Sequence, residues 1–382
     1  MKFRPVKTAV IGCGMISGIY LKNLKEIFYI TDLVGCADMV AEKAAAQAEK
    51  YNIRCMTSEE ILSGPEIELV LNLTYASSHY EVSKTILSAG KHCYSEKMMC
   101  LTLSQADELK KIAQQNNVMF CCAPDTFLGA SQQTARYIVD RGIIGEPISV
   151  LVSLTRGYHM IKEDKDDAVR KYSVMHEGGG IPYDMGGYYL HEMFNILGPV
   201  NRVCGFSKTH NANRPYLNPR HSKFTDNFEV KTPNTIACAF EFDSGVYGTM
   251  SISSEFNTSQ NIFKIVGTEG QLDLGDPNNF GDLIYVTKNG SGAMEFPLAH
   301  PYSDNSRGIG VADMAWGIRT GRPARLCFEM GYHALEFLRA VEECTIDGQV
   351  KTLKTKFERP VPISSEYYSG TSMERSLYLY DY

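Results

Sequence analysis

Lys7-Thr8-Ala9-Val10-Ile11-Gly12-Cys13-Gly14-Met15-Ile16-Ser17-Gly18 is a short apolar run that breaks on glycine and resumes as an amphipathic segment to about Ile27. A strand that enters a helix through glycines lets the backbone approach a pyrophosphate and aims the helix N-terminus at its charge. Gly12, Cys13, Gly14, Met15 and Ile16 are the residues expected to cradle such a group. A glycine pattern alone is weak, and its surroundings decide its weight.

The surroundings repeat the motif. Strands are expected over Lys7–Ile11, Leu33–Ala37, Leu69–Leu73, His92–Ser95 and Val118–Cys122. Between them, helices are expected from Ile16 to about Ile27 and over Val40–Tyr51, His79–Ala89 and Ser104–Gln114. That alternation predicts βαβ units and a doubly wound parallel sheet of Rossmann type, α/β in class. Gly90 is expected as a left-handed helix terminator, and Thr102-Leu103-Ser104 as a hydroxyl cap. The second strand ends in Ala37-Asp38. A carboxylate at that tip accepts hydrogen bonds from both adenosine ribose hydroxyls and repels a 2′-phosphate, and Met39-Val40 brings no arginine, so NAD is the expected cofactor. The competing reading is structural, with the glycines making a tight turn and Asp38 capping the helix near Val40.

Beyond Ala123-Pro124-Asp125 the texture changes. A helix over Ser131–Asp140 and a turn at Gly145-Glu146-Pro147 precede longer alternating runs: Ser149–Arg156, Val200–Lys208, Ile236–Phe242, Val246–Glu255, Asn261–Gly267 and Leu283–Val286. These predict a C-terminal α+β domain on an open, mainly antiparallel sheet, with hairpins such as Asp243-Ser244-Gly245. The polar stretch His210–Lys231 reads as a long loop, and Phe328 to about Thr345 as a final helix. The division expected is a cofactor-binding domain over 1–125 and a substrate-binding and oligomerisation domain over 126–382.

With 382 residues, 44% hydrophobic and 21% charged, the chain holds two or three cores. A formal charge of −6 without a Lys/Arg block gives no footprint for nucleic acid or an anionic membrane, so a small-molecule partner is expected. Met1 to Lys7 run into a strand without an apolar signal region, and the longest apolar runs are too short for a bilayer. The expectation is a cytoplasmic protein. The eleven cysteines, among them Cys13, Cys36, Cys93, Cys121, Cys122, Cys238 and Cys327, include no CxxC pair and read as reduced core thiols. Without HxxxH, HExxH or paired CxxC spacing, no metal is expected.

Four further segments complete a pattern: Thr74-Tyr75 with His79; Gly90-Lys91-His92 with Glu96-Lys97; Gly178-Gly179-Gly180; and Asp184-Met185-Gly186-Gly187-Tyr188. With the glycine loop, they make the chain resemble the Gfo/Idh/MocA oxidoreductases, the family of glucose-fructose oxidoreductase and inositol dehydrogenase. The likeness extends through Gly142-Ile143-Ile144-Gly145-Glu146-Pro147, Gly267-Thr268-Glu269-Gly270 and Gly321-Arg322-Pro323, and so covers nearly the whole chain. It implies a nicotinamide-dependent oxidoreductase, with Thr74, His79, Glu96 and Lys97 along the cofactor. Two positions depart from the pattern. Met98 stands where the family usually has proline, so the bend after Lys97 is made without that ring. Tyr188 stands where many members carry histidine, although members resembling glucose-fructose oxidoreductase and dihydrodiol dehydrogenase also use tyrosine.

Oxidising a secondary alcohol moves a hydride to the nicotinamide while the hydroxyl proton leaves to a positioned base. A phenol and an ammonium titrate near ~10 and ~10.4, so each needs neighbours to shift it. A positive nicotinamide and Lys97 favour tyrosinate, while burial beside another cation favours neutral lysine. Lys97 and Tyr188 are therefore expected to share proton transfer. The resemblance sets Asp184, four residues before Tyr188, against the substrate hydroxyl and the lysine. Each has a bland alternative: Lys97 as a solvated strand end, Asp184 as a helix cap, Tyr188 as a core aromatic. Tyr189 and His191 compete with Tyr188 for the proton. Asp125, Arg156, Tyr158, His159 and His176 are the candidate substrate binders, with ordinary loop roles as the alternative.

The expected function is an NAD-dependent oxidoreductase acting on a secondary hydroxyl or ketone of a sugar, cyclitol or glycoside, with glucose C3 of a glycoside the first regiochemistry to test. Two alternatives compete: an NAD-dependent glycosidase working by transient oxidation and elimination, and a non-catalytic NAD-responsive binding protein. An open sheet leaves an apolar face to cover, so a homo-oligomer is expected. The aromatic tail, Tyr367-Tyr368 and Tyr378 to Tyr382, reads as a docked interface.

Overall fold

The run Val6–Ile11 (β1) is buried almost throughout, with Thr8, Ala9 and Val10 wholly inaccessible, as befits a strand covered on both faces. The computed structural model describes residues 3–157, 178–216 and 218–364. In the first part, β1 is followed by α1 (Ser17–Glu26), β2 (Thr31–Ala37), α2 (Ala41–Tyr51), β3 (Arg54–Cys55), α3 (Ser58–Ser63), β4 (Leu69–Asn72), α4 (His79–Ser88), β5 (His92–Ser95), α5 (Leu103–Gln115) and β6 (Phe120–Cys122). All strands pair in parallel in the order β3-β2-β1-β4-β5-β6. The order reverses between β1 and β4, and a sheet of this kind opens a crevice at its strand carboxyl ends there.

Local chemistry matches these boundaries. Gly90 is left-handed, φ 70°, after α4, and Thr102 caps α5 in a reciprocal box with Gln105. Two elements were not expected, β3 and α3. The strand is too short to show a period, but α3 carries a legible start in Thr57-Ser58-Glu59-Glu60, a complete capping box.

The second part begins with α6 (Ala130–Asp140), β7 (Pro147–Gly157), α7 (Gly180–Leu197), β8 (Val200–Lys208), β9 (Asn213–Pro215), β10 (Asn227–Glu229), β11 (Thr235–Phe242) and β12 (Tyr247–Phe256). It continues with β13 (Gln260–Gly267), β14 (Gly270–Leu274), β15 (Ile284–Lys288), β16 (Met294–Phe296), α8 (Ile309–Thr320), α9 (Phe328–Asp347) and β17 (Lys351–Thr352). Nine strands form one sheet, β16-β15-β14-β13-β7-β12-β11-β8-β17. It is mostly antiparallel, and the one parallel pair lies at its centre, where β7 runs with β12. The β11–β12 hairpin closes at Asp243-Ser244-Gly245, with Val246 and Phe242 bonded across it. Both strands alternate buried and exposed residues. Their inner face meets two helices: Phe240 packs on Phe337 of α9, and Tyr189 of α7 packs on Phe263 of β13.

The short strands β14, β16 and β17 were not expected, and two further regions differ from expectation. The stretch His210–Lys231 contains the ribbon β9–β10 with a small core of Tyr216, Phe228 and Val230, strands too short for alternation to reveal. The helix α8 was also missed. Its sequence, Ile309-Gly310-Val311-Ala312-Asp313-Met314-Ala315, is apolar on all sides because nearly every residue is buried, so no polar face marks a helical period. It returns to the first domain, where Arg319 bonds the Arg4 and Pro5 carbonyls and Glu68. All eleven cysteines are free thiols, and only Cys55 and Cys204 are exposed.

Candidate active site

The crevice at the β1/β4 reversal is continuous with a cleft of about 380 Å³ lined from both parts of the chain, including Ile16, Thr74, Lys97, Asp184, Tyr188 and Arg307. On its first side stands the glycine loop. Gly12 has φ 105°, and a Cβ there would lie 2.6 Å from the Leu73 backbone, so only glycine fits. No atom lies within 4 Å of where a Cβ of Gly14 would sit. Beyond it α1 begins without a side-chain cap or an acidic residue in its first turn. A bare helix N-terminus over an open loop is the arrangement that holds a pyrophosphate. Asp38 accepts hydrogen bonds from the Cys13 N–H (2.7 Å) and the Val40 N–H (2.8 Å), which ties the end of β2 to the loop. Met15 and Met39 beside it are exposed. These residues fit a dinucleotide without a 2′-phosphate.

Thr74 follows β4, its hydroxyl donating to Asn72 Oδ1 at 2.6 Å. His79 lines the cleft edge but is itself buried, and both ring nitrogens are engaged, Nδ1 with the Met98 carbonyl (2.7 Å) and Nε2 with the Thr74 carbonyl (3.0 Å). Its ring therefore joins the β4 and β5 loops to each other. The Lys97–Met98 peptide is cis. Glu96 is likewise occupied, accepting the Tyr20 hydroxyl at 2.7 Å and the Lys97 N–H at 3.1 Å.

On the opposite side, α7 presents Asp184 and Tyr188 one turn apart. Lys97 Nζ donates to Asp184 Oδ1 (2.9 Å) and to the Asp184 carbonyl (2.8 Å), and sits 4.8 Å from the Tyr188 ring centre. Burial pulls the Lys97 pKa down, but Asp184, Tyr188 and Glu96 outweigh it and hold the group above the usual lysine range. Of the two tendencies at this lysine, the neighbouring acidic groups thus win over desolvation. Burial raises the Tyr188 phenol, opposed by the charges of Lys97 and Arg307 and reinforced by Glu96 and Asp184.

The rivals for the proton lie elsewhere. Tyr189 is wholly buried, its hydroxyl donating to Asn261 Oδ1 at 2.8 Å, under the large sheet. His191 is on the Tyr188 side of α7 but about 4.5 Å further along the axis. There it packs between Phe127 and Phe194, with Nδ1 on the Gly187 carbonyl and no place in the cleft lining. Burial lowers its pKa to about 4, so it is a neutral core histidine and not a base for this cleft.

Two substrate candidates are also corrected. Asp125 is buried, and Oδ2 accepts the Gly308 and Gly310 N–H groups at 2.8 and 3.1 Å. It caps α8, the helix that sequence patterning did not reveal. Arg156 pairs with Asp276 at 3.6 Å in the loop after β14, outside the cleft lining. Tyr158, His159, His176 and the tail tyrosines lie outside the described residues. Among the cleft residues not anticipated as part of the site are Tyr183, Asn278 and Arg307. Tyr183 sits one residue before Asp184 and was readable as its neighbour. Asn278 and Arg307 lie in loops whose approach to the cleft depends on α8 and the sheet edge.

Residues 6–123 match the family described as "Oxidoreductase family, NAD-binding Rossmann fold", and residues 132–273 match the "GFO/IDH/MocA C-terminal domain". An uncharacterized oxidoreductase of Schizosaccharomyces pombe is 27% identical over 52% of this chain and 53% of its own length. The inositol 2-dehydrogenase/D-chiro-inositol 3-dehydrogenase of Lactiplantibacillus plantarum is 20% identical over 70% of this chain and 71% of its own. The chain thus spans about half the length of the first of these relatives. Among solved structures, levoglucosan dehydrogenase in complex with NADH superposes with a TM-score of 0.78 at 18% identity, covering 92% of this chain and 100% of that one.

Proposed function

Because the chain belongs to the Gfo/Idh/MocA oxidoreductases and carries their NAD-binding Rossmann fold, we propose that it is an NAD-dependent dehydrogenase of a secondary hydroxyl on a sugar, cyclitol or glycoside. The observation that carries this reading is the placement of Lys97, Asp184 and Tyr188 together at the strand-order reversal, beside the open glycine loop. The cofactor, when bound, supplies the nicotinamide carbon that takes or gives the hydride. Tyr188 handles the proton: its oxygen accepts it from the hydroxyl in oxidation and returns it to the ketone oxygen in reduction. Lys97, charged and fixed by Asp184, stabilises the phenolate form and orients the ring. Glu96 and the His79 bridge fix the β5 end that carries Lys97.

The relatives favour polyhydroxy substrates: the Lactiplantibacillus enzyme is named for inositols and the structural neighbour for levoglucosan. A glycoside oxidised at its glucose C3 hydroxyl is the first candidate. In support, Thr232-Pro233, at the base of the β9–β10 ribbon, packs closely on Gly180, next to cleft-lining Gly178 and Gly179, so the ribbon borders the side of the cleft toward which an aglycone would extend. A panel of sugars, cyclitols and glycosides with NAD tests this by NADH absorbance. Formation with at least one class is expected, and silence in both directions, with the keto forms included, refutes it. The outer face of the nine-stranded sheet exposes Ile148, Leu151, Phe206 and Tyr247. A second copy of the chain is the proposed cover, and a monomer by light scattering would contradict it.

A further inference from the structure

We propose that Arg307 is a positioning residue for proton transfer: supplied by the C-terminal half, it lines the same cleft as Tyr188 and Lys97 and serves as a second cation that favours the phenolate. The inference rests on the assignment of the proton to Tyr188 made above.

The arginines of the molecule fall into two kinds. Among the described residues, the deeply buried ones all meet carboxylates: Arg136 meets Asp140, Arg214 meets Glu255, and Arg322 and Arg325 share Asp313. Arg307 does not, although it is partly buried and lines the cleft. Its Nη1 donates to Asn305 Oδ1 at 2.8 Å, its Nη2 donates to the Asn278 carbonyl at 3.2 Å and to Asn278 Oδ1, and its plane lies 5.7 Å from the Phe280 ring centre. Among the described residues it forms no ion pair. These contacts fix the fork without neutralising it. A guanidinium held among neutral oxygens keeps its field for whatever anion forms beside it, and of the ionisable groups around it the Tyr188 phenol acts more strongly than the buried Asp125 or Tyr20.

The mounting is over-determined. Asn23 Nδ2 donates to the Asn305 and Arg307 carbonyls at 2.8 Å each, tying the segment to α1, and Asp125 binds the next N–H groups. On the other flank, Asn278 donates its N–H to Asp276 Oδ1 at 2.9 Å, and Asp276 is paired with Arg156. Arg156, expected at the substrate, thus supports the loop that holds Arg307. The charged groups facing Tyr188 are Lys97 and Arg307, which lower its proton affinity, and Glu96 and Asp184, which raise it. Burial lowers the affinity of Arg307 for its own proton, but Tyr188 leads the effects that outweigh it.

The test titrates Tyr188 directly, by ultraviolet difference spectra between each protein and its Tyr188→Phe counterpart, so that no turnover is needed. Arg307→Met is expected to move the phenol titration up by about one pH unit, equivalent to about 1.4 kcal/mol. Arg307→Lys is expected to restore most of it. With an active substrate, the oxidation rate profile should move by the same amount while KM for NAD stays within about threefold. If Arg307→Met does not fold, Asn278→Ala, which releases the fork, should give a smaller shift of the same sign. Identical Tyr188 titrations in all variants overturn the proposal. A Tyr188→Phe enzyme with full turnover overturns the functional assignment instead, and the two failures are distinct.

Discussion

Tyr188 and Tyr189 are adjacent tyrosines on one helix with opposite fates. The first opens onto a cleft beside an ammonium and a guanidinium, while the second is sealed under the sheet with its hydroxyl on Asn261. A step of about 100° around α7 separates them. The chemistry of the residue is the same in both places; what differs is whether the surroundings can stabilise its anion. At Tyr189 burial and Asp276 oppose ionisation, Arg156 favours it, and the pKa lies far above the tyrosine range. Burial raises both phenols, and at Tyr188 alone two cations oppose it, which is why the proposed proton transfer is assigned there.

The largest effect should come from removing the nearer cation. Lys97→Met should lower kcat by roughly 10³-fold or more while NADH fluorescence titrations show binding retained. Retained turnover would break the contrast. Tyr188→Phe should follow, with a loss of roughly 10² to 10³-fold in kcat and little change in thermal stability. His191 supplies a contrast of another kind. Buried neutral with a pKa near 4, it is protonated more readily in the unfolded chain, near 6.5. The unfolded state thus binds more protons between those values, and stability falls as pH falls through that window. His191→Leu should flatten the drop in Tm between neutral pH and pH about 4.5, by up to about 3 kcal/mol, without changing turnover at neutral pH. Smallest of all, Tyr189→Phe should cost about 1 kcal/mol in a denaturant titration through the lost bond to Asn261.

The Rossmann half was legible because its signals are local. The strand-glycine-helix start, the Asp38 tip and the Thr102 cap each declare themselves within a few residues, and the structure follows them. Lys97, Asp184 and Tyr188 were legible through a resemblance and are brought together by the fold. Arg307 was not legible. Its place at the cleft is set by partners far along the chain, Asn23, Asn278 and the Asp125-capped start of α8, and α8 has no polar face to betray it. Asp125 itself was misread for the same reason: its partners are backbone N–H groups far along the chain. His191 shows the limit of helical spacing, since sharing a face with Tyr188 did not bring it to the same depth. In the sheet, alternation revealed six strands but not the short β14, β16 and β17, nor the parallel β7–β12 pair, because each strand's own pattern is the same whichever way its neighbour runs.

The most direct measurement compares kcat for Tyr188→Phe and Tyr189→Phe side by side on one active substrate, with NADH binding measured in both. At least about a hundredfold loss is expected for the first and a change within about threefold for the second, with binding intact throughout. Equal losses, or a greater loss at Tyr189, would contradict the assignment of the proton to Tyr188.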